Sequence, residues 1–297
     1  NGPAFREVWV VSGFVKRAFV GGGVKPERVR VVRPPVCDGP WEMGSMPKLI
    51  ADKSRPVTPD DPYVFGAMGT WHSRKGFPDL IRAFFGAFKR EDPVQLVIRT
   101  SAFGENLTIR EMKKKLTDEI ALIAEEFGDD DFPNSKAQPH LKLIIGTDAT
   151  DQEVIEWLSS IDCYANATYG EGLGIPHVWA KANGVPMVTS SFGAVGEMIE
   201  GLCDMGADDE IYESHVEPVD PEMCRIALMF DPDTKWAKYD PKDLGTAMTM
   251  QYEKGRRFDE VSAEITRDLF SVEKCAAEVR KGVREIVGEE RSVKWEV

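Results

Sequence analysis

A glycine-rich segment at residues 169–176, YGEGLGIP, has the residue types and spacing best suited to chemistry. It follows a short strand-like run and precedes an amphipathic stretch, which predicts a loop that opens a helix. Free N–H groups and the positive end of the helix dipole at such a point form an anion site suited to a diphosphate. The carboxylate of Glu171 suits sugar hydroxyls better, because it accepts hydrogen bonds. A glycine-rich turn with a surface glutamate explains the same residues equally well.

Two further loops carry polar residues between a predicted strand and a predicted helix. In residues 69–76, Lys75 could reach a phosphate as a point charge and Arg74 as a planar fork, although a solvated basic turn is the simpler interpretation. His72 is interpreted as an ordinary loop residue. Residues 190–197 are small and polar, with Glu197 near a helix start. Because ligands of parallel α/β sheets bind at the carboxyl ends of strands, the three loops could line one crevice.

The hydrophobic pattern predicts an α/β fold. One apolar stripe with helical spacing is formed by Phe77, Leu80, Ile81, Phe84 and Phe88. Strands are predicted at residues 8–11, 29–32, 63–68, 95–98, 141–145, 161–165 and 186–190, with amphipathic stretches between them. This alternation predicts a Rossmann-like parallel sheet with helices on both faces. The pattern weakens over residues 204–239, and helices are predicted again over 243–254 and 272–286.

Composition excludes several classes of function. The net charge of −13 argues against general affinity for nucleic acid or anionic membranes, which bind clustered Lys and Arg. The five cysteines include no CxxC pair, which predicts reduced thiols and a cytoplasmic protein. No apolar run is long enough for a membrane span. The sequence contains no GxxxxGK[ST], HExxH or GxSxG motif, and its four histidines are dispersed, so no metal site is predicted.

A family resemblance extends this interpretation. Residues 171–188 read EGLGIPHVWAKANGVPMV, which is similar to the signature EGxGxPxxEAxAxGxPVV of the group 1 (family 4) retaining GT-B glycosyltransferases. The Lys75–Gly76 pair with its following helix, and residues 8–36 and 192–197, resemble other parts of that family. The resemblance covers residues 5–200 well and 240–290 loosely. It implies transfer of a sugar from a nucleotide donor to an acceptor with retention of configuration, usually without a metal.

The resemblance implies a role for each matching residue. Glu171 would hold the donor-sugar hydroxyls, and Lys75 would neutralise the diphosphate as it leaves. The sugar and phosphate would contact the backbone at Gly172, Leu173 and Gly174. Gly146 and Thr147, after the strand at residues 141–145, would lie near the base.

Two positions depart from the family pattern. Thr70 stands where the family has an arginine, so one positive charge for the diphosphate is missing unless Arg74 supplies it. Trp179 stands where the family has the second glutamate, which binds the ribose. We expect Trp179 to pack into the core beside Ile175, Val178 and Ala182, although an indole there could also block the nucleotide pocket.

The resemblance also implies how the chain is divided. Residues 1–40 would be the end of an N-terminal domain and the start of a linker, which continues through the Pro- and Gly-rich residues 36–60, and residues 41–297 would form the C-terminal nucleotide-sugar-binding domain. The chain starts at Asn1 rather than Met, and most of the N-terminal, acceptor-binding domain is expected to lie upstream. We therefore expect this chain alone to bind a donor and to be inactive.

Three functional hypotheses stay open at this point. In the first, the chain is the donor-binding part of a retaining glycosyltransferase whose donor is a nucleotide-diphosphate sugar, with no separate cofactor and with a glycan, lipid or small molecule as acceptor. In the second, it is a degenerate, non-catalytic binding module. In the third, it belongs to another Rossmann-like enzyme, such as a sugar-nucleotide epimerase.

Overall fold

A computed structural model describes residues 6–36, 53–102, 107–130, 132, 137–146, 149–218 and 235–287. The first elements are β1 (Val8–Val10), α1 (Gly13–Gly21) and β2 (Val29–Val31). The main body then contains β3 (Tyr63–Trp71), α2 (Phe77–Ala87), β4 (Val94–Ala102), α3 (Ile109–Glu125), β5 (His140–Ile145), α4 (Asp151–Ser160), β6 (Cys163–Ala165), α5 (Ile175–Ala182), β7 (Met187–Ser190), α6 (Gly193–Cys203) and β8 (Glu210–Tyr212). A hairpin of β9 (His215–Pro218) and β10 (Lys235–Lys238) follows, and then α7 (Pro241–Glu253), α8 (Glu260–Leu269) and α9 (Val272–Val287).

The predicted parallel sheet is confirmed. Six strands pair in parallel in the order β5-β4-β3-β6-β7-β8. The chain first moves outward from β3 to β5, then returns to place β6 on the other side of β3 and moves outward again. Because crossovers between parallel strands are right-handed, this reversal puts the two sets of helices on opposite faces of the sheet.

Alternation along β3 assigns its side chains to the two faces. Tyr63, Phe65 and Ala67 lie in a core cluster with the apolar faces of α2, α3 and α7. Val64 and Met68 pack against a second cluster, which α4, α5 and α6 supply. The stripe of α2 predicted from the sequence is buried in the first cluster. This two-sided burial explains why the strand has a nearly continuous apolar sequence.

The N-terminal residues form a separate parallel pair, β1 with β2, joined by α1. Helix α9 packs against this pair. The approach is so close that a Cβ on Gly282 would lie 2.8 Å from the Trp9 ring. Arg30 bridges Glu7 at 3.0 Å and Glu285 of α9 at 2.5 Å. These contacts tie the first and last described elements together. The predicted domain boundary at residue 40 lies outside the described residues and stays a prediction.

A few local features of the structure were not predicted. Helix α4 opens with a capping box, in which Thr150 and Glu153 each bond to the backbone of the other. Helix α8 and strand β8 lie in stretches where no element was predicted. Ile109 of α3 is 64% exposed, because it occupies the first turn of the helix and faces solvent.

Buried ion pairs lie at the amino edge of the sheet. Lys181 of α5 is fully buried, and its Nζ lies 2.6 Å from Asp209 and 3.0 Å from Asp259. Asp162, which precedes β6, pairs in the same way with Lys53 at 3.0 Å and with Arg256 at 3.1 Å. These pairs fix helix and loop positions at the edge opposite the strand ends where ligands of such sheets bind. No described helix is long and apolar enough to cross a membrane.

Candidate functional site

The loops after β3 and β6 meet at the carboxyl edge of the sheet. These strands are neighbours in space, and the strand order reverses between them. Such a reversal opens a crevice between loops that turn to opposite faces of the sheet, and it is the usual ligand site in open α/β folds. The crevice brings together Lys75 and Arg74 from the first loop with Glu171 from the second.

Glu171 is the centre of this arrangement. Its Oε1 accepts a hydrogen bond from Lys75 Nζ at 2.5 Å and lies 3.0 Å from Arg74 Nη1. Thr168 Oγ1 is 3.3 Å from the same oxygen. The side chains of Lys75 and Glu171 are only 16% and 10% exposed, so the basic loop is not a solvated surface turn. Two cations and one carboxylate therefore share a small, sheltered volume.

The loop after β3 is held in place by its backbone. Lys75 lies in a single 3-10 turn, Ser73–Lys75, which His72 caps by accepting a hydrogen bond from Arg74 N–H. Gly76 ends the turn with φ of 65°, and a Cβ there would overlap the Ala167 carbonyl of the neighbouring loop. Glycine is required at this position because both its left-handed backbone and this close approach exclude a side chain. The Arg74 carbonyl in turn accepts from Tyr169 N–H at 2.8 Å.

The electrostatics keep Glu171 ionised. Burial alone favours the neutral acid, but the charges of His177, Lys75 and Arg74 outweigh it and lower the pKa of Glu171. Burial lowers the pKa of His177 to about 4, so the imidazole is neutral at neutral pH. At neutral pH it is therefore the two cations, Lys75 and Arg74, that keep Glu171 ionised. An ionised Glu171 is a hydrogen-bond acceptor only, so it can accept hydrogen bonds from hydroxyl groups.

The start of α5 forms the second wall of the crevice. Among the described residues, no acceptor faces the N–H groups of Gly172, Leu173, Gly174 or Ile175. Gly174 caps the helix with φ of 78°, and a Cβ there would lie 2.5 Å from Nδ1 of the buried His177. The turn is therefore compact, and its free N–H groups point out of the helix start, where an anion is the expected partner.

Aromatic side chains from distant parts of the chain line a cavity of about 310 Å³ beside Glu171. They are Phe14 of α1, Tyr169, Phe192 and Trp236 of β10. Tyr169 and Phe192 belong to loops that the sequence analysis singles out, whereas Trp236 lies in the weakly patterned residues 204–239 and could not be predicted to lie here. Tyr169 is fixed by the hydrogen bond that its hydroxyl donates to Asp79 at 2.5 Å.

The Trp179 side chain has a structural role in the packing of α5. Its Nε1 donates to the Val36 carbonyl at 2.9 Å, and its ring packs, partly exposed, against two core clusters. Val178 and Ala182 are buried as predicted, but Ile175 is 42% exposed, because it occupies the first turn of α5 and points to solvent. The indole thus anchors the segment after β2 to α5.

The other predicted site residues that the structure describes lie around the same edge of the sheet. Thr70 is half-buried near the end of β3, opposite Ser101 of β4, and the second cation near Glu171 is Arg74. Gly146 follows β5 in an exposed position, with β4 between β5 and β3. Thr147 lies outside the described residues. Glu197 lies beyond the first turn of α6 and pairs with Arg17 of α1.

Solved structures share this arrangement of strands and helices. HepE of Anabaena, solved with UDP and glucose, matches 94% of this chain and 63% of its own, with a TM-score of 0.61 at 14% identity. The fold is therefore Rossmann-like and of the GT-B type. Sucrose-phosphate synthase of Thermosynechococcus elongatus has a TM-score of 0.60 at 14% identity, with 95% of this chain and 58% of that chain covered. A glycosyltransferase of Rickettsia africae has a TM-score of 0.58 at 13% identity, with coverages of 95% and 64%.

The chain thus spans less than two thirds of each of these structures. No protein-family model matches its sequence. No curated protein is similar to it at a significant level. At these identities the likeness establishes the fold.

Proposed function

We propose that this chain is the nucleotide-sugar-binding part of a retaining, group 1 (family 4) glycosyltransferase. The observation that carries the proposal is the convergence of Lys75, Arg74 and Glu171 at the point where the strand order reverses. Two cations suit a diphosphate, and a sheltered, ionised carboxylate suits the hydroxyls of the attached sugar. Binding of UDP and glucose by HepE is consistent with this assignment.

Each group has a separate part in the proposed reaction. Lys75 and Arg74 donate hydrogen bonds to the diphosphate in place of Glu171. The carboxylate of Glu171 is then free to accept hydrogen bonds from the sugar hydroxyls. As the bond from the sugar to the diphosphate breaks, negative charge grows on the leaving group. The cations, together with the free N–H groups at the start of α5, stabilise that charge in a sheltered site. The acceptor is a glycan, a lipid or a small molecule.

A second candidate is a non-catalytic, degenerate module, and Trp179 favours it. The indole donates to Val36 and offers no carboxylate to a ribose. A hydrogen bond to a charged acceptor contributes ~1.5–3 kcal/mol, so its loss weakens nucleotide binding by about 10- to 150-fold. In this alternative, the crevice keeps its shape but binds nucleotide sugars too weakly to use them.

Titration of the chain and of Trp179→Glu with UDP-, GDP- and ADP-sugars by calorimetry separates the two candidates. We expect the unchanged chain to bind one of these donors, and Trp179→Glu to bind it no better, because the substitution also releases the segment anchored at Val36. Trp179→Phe keeps most of the packing without the hydrogen bond and is the control. A large gain of affinity in Trp179→Glu would support the degenerate module. Failure of both folded proteins to bind any donor would contradict the first candidate.

A further inference from the structure

A buried histidine lies in the first turn of α5, next to the groups proposed to bind the donor. His177 is 2% exposed, and its Nδ1 has no hydrogen-bond partner among the described residues. The ring is fixed in place, because it meets the Tyr164 ring edge to face at 5.0 Å and because a Cβ on Gly174 would lie 2.5 Å from Nδ1. Native proteins leave few buried polar atoms without a partner, and those that remain often serve the chemistry of a site.

The charge of this ring depends on the groups of the crevice. Burial lowers the pKa of His177 to about 4. The Glu171 carboxylate and the Gly174 carbonyl raise that pKa, whereas Lys75 and Arg74 lower it further. The positive end of the α5 dipole also disfavours a cation in the first turn of the helix. The ring is therefore neutral while both cations lie beside Glu171.

Titratable side chains on the neighbouring elements are paired elsewhere. The Tyr164 hydroxyl of β6 accepts from the Met68 N–H and donates to the Met68 carbonyl, each at 3.1 Å, and burial raises its pKa, so it stays neutral. Glu197 of α6 pairs with Arg17 of α1. Lys181, further along α5, pairs with two buried aspartates at the opposite edge of the sheet. The carboxylate and the two cations of the crevice therefore decide whether the ring is charged.

A bound donor would change this balance. In the proposed function, Lys75 and Arg74 turn from Glu171 to the diphosphate, whose negative charges offset both cations and the positive end of α5. Glu171 then lies sheltered without a cation, which is a costly state for a carboxylate. A protonated His177 is able to compensate, because its charge lowers the pKa of Glu171 more than the charge of Lys75 or Arg74 does.

We propose that His177 takes up a proton from solvent when the donor binds, and that its imidazolium then replaces Lys75 and Arg74 in keeping Glu171 ionised. The inference rests on the proposed function and adds a positioning residue to it. His177 acts on the donor through Glu171, whose two oxygens keep enough lone pairs to accept from sugar hydroxyls. When the diphosphate leaves, the cations return to Glu171 and the proton returns to solvent.

Calorimetry with UDP-, GDP- and ADP-glucose at pH 6, in MES and in Bis-Tris, counts the protons taken up, because the two buffers ionise with different enthalpies. The phosphates of these donors stay ionised at this pH, so the uptake reports on the protein. A His177 pKa that returns to its ordinary value of about 6.5 in the complex gives roughly 0.7 proton per donor bound. The affinity should then be about 10-fold higher at pH 5.5 than at pH 8.

Variants assign the proton to its residue. His177→Phe keeps an aromatic ring against Tyr164 but binds no proton, so it should lose both the uptake and the pH dependence. His72→Asn is the matched control, because burial, Arg74 and Lys75 lower the pKa of His72 as well. Its Nδ1 caps the turn by accepting from the Arg74 N–H, and asparagine is able to keep such a cap. The uptake should survive in His72→Asn.

NMR of the unchanged chain tests the proposal without a variant, since the His177 ring resonances should titrate about 2 pH units higher in the donor complex than in the free chain. Donor binding without proton uptake would overturn the inference and leave the proposed function intact. So would an uptake that survives in folded His177→Phe, or one that is lost in His72→Asn. Failure of the folded chain to bind any of these donors would contradict the proposed function, and this inference with it.

Discussion

Replacing Lys75 with alanine should weaken nucleotide-sugar binding by about 10- to 150-fold while the chain stays folded. The lost contact is a hydrogen bond between an ammonium and a phosphate, which contributes ~1.5–3 kcal/mol. Glu171 would also lose its 2.5 Å partner and keep Arg74 as the remaining cation. Since Lys75 is one of the charges that lower the pKa of Glu171, that pKa should rise in the variant.

Calorimetric titration with the donor that the unchanged chain binds measures this effect. Lys75→Arg keeps the charge but not the geometry, and it should recover part of the affinity. Lys142→Ala removes an exposed lysine of β5 and is the control for net charge. An affinity of Lys75→Ala within 2-fold of the unchanged chain would exclude Lys75 from the diphosphate site, because a charge-assisted contact is worth about 10-fold or more.

Replacing Lys181 with alanine should lower the free energy of unfolding by about 3–5 kcal/mol, because two carboxylates lose the buried cation that they share. Lys181 is fully buried, and its contacts with Asp209 and Asp259 are 2.6 Å and 3.0 Å. Burial already raises the pKa of Asp209, and the lost cation would raise it further. A carboxyl whose pKa is higher in the folded than in the unfolded chain destabilises the fold above the unfolded pKa. The loss should therefore be larger at neutral pH than near pH 4.

Urea unfolding of the two proteins at both pH values checks this result. Lys181→Met fills most of the side-chain volume without the charge, and it should be destabilised with the same pH dependence. Lys254→Ala is the control, because Lys254 pairs with Asp208 and Glu210 while 29% exposed, and such pairs contribute about 1 kcal/mol or less. A loss in Lys181→Ala no larger than that of Lys254→Ala would show that the buried cluster does not hold α5 in place.

The regular parts of the fold could be predicted because their signals are local. Helix α2 has its apolar residues at helical spacing, and the strands of the sheet are short β-rich runs between turn residues. Helix α8 has no such signal, since the residues that it buries are Ser262, Ala263 and Thr266, two of them polar. Strand β8, Glu210–Tyr212, lies in the weakly patterned residues 204–239 and begins with a charged residue, so it has no β-rich run like those of the other short strands.

The candidate site could be predicted only in part, because the contacts between its loops are not local in the sequence. Glu171 and Lys75 each stand in a strand–loop–helix context that the sequence reveals. Their contact at 2.5 Å depends on β6 lying beside β3, which is a property of strand order and not of either loop. Trp236 and Lys235 reach the cavity through the β9–β10 hairpin, whose sequence has no feature that places it there. The partners of Lys181 lie 28 and 78 residues away along the chain.

A crystal structure of the chain with its nucleotide sugar bound tests the central claim most directly. We predict the diphosphate within hydrogen-bonding distance of Lys75 and of the N–H groups at the start of α5, with the sugar hydroxyls on Glu171. The Lys75–Glu171 contact should be lengthened, because the diphosphate takes over the ammonium. A donor bound at any other edge of the sheet, or one that leaves the Lys75–Glu171 contact unchanged, would contradict the assignment of this crevice as the donor site.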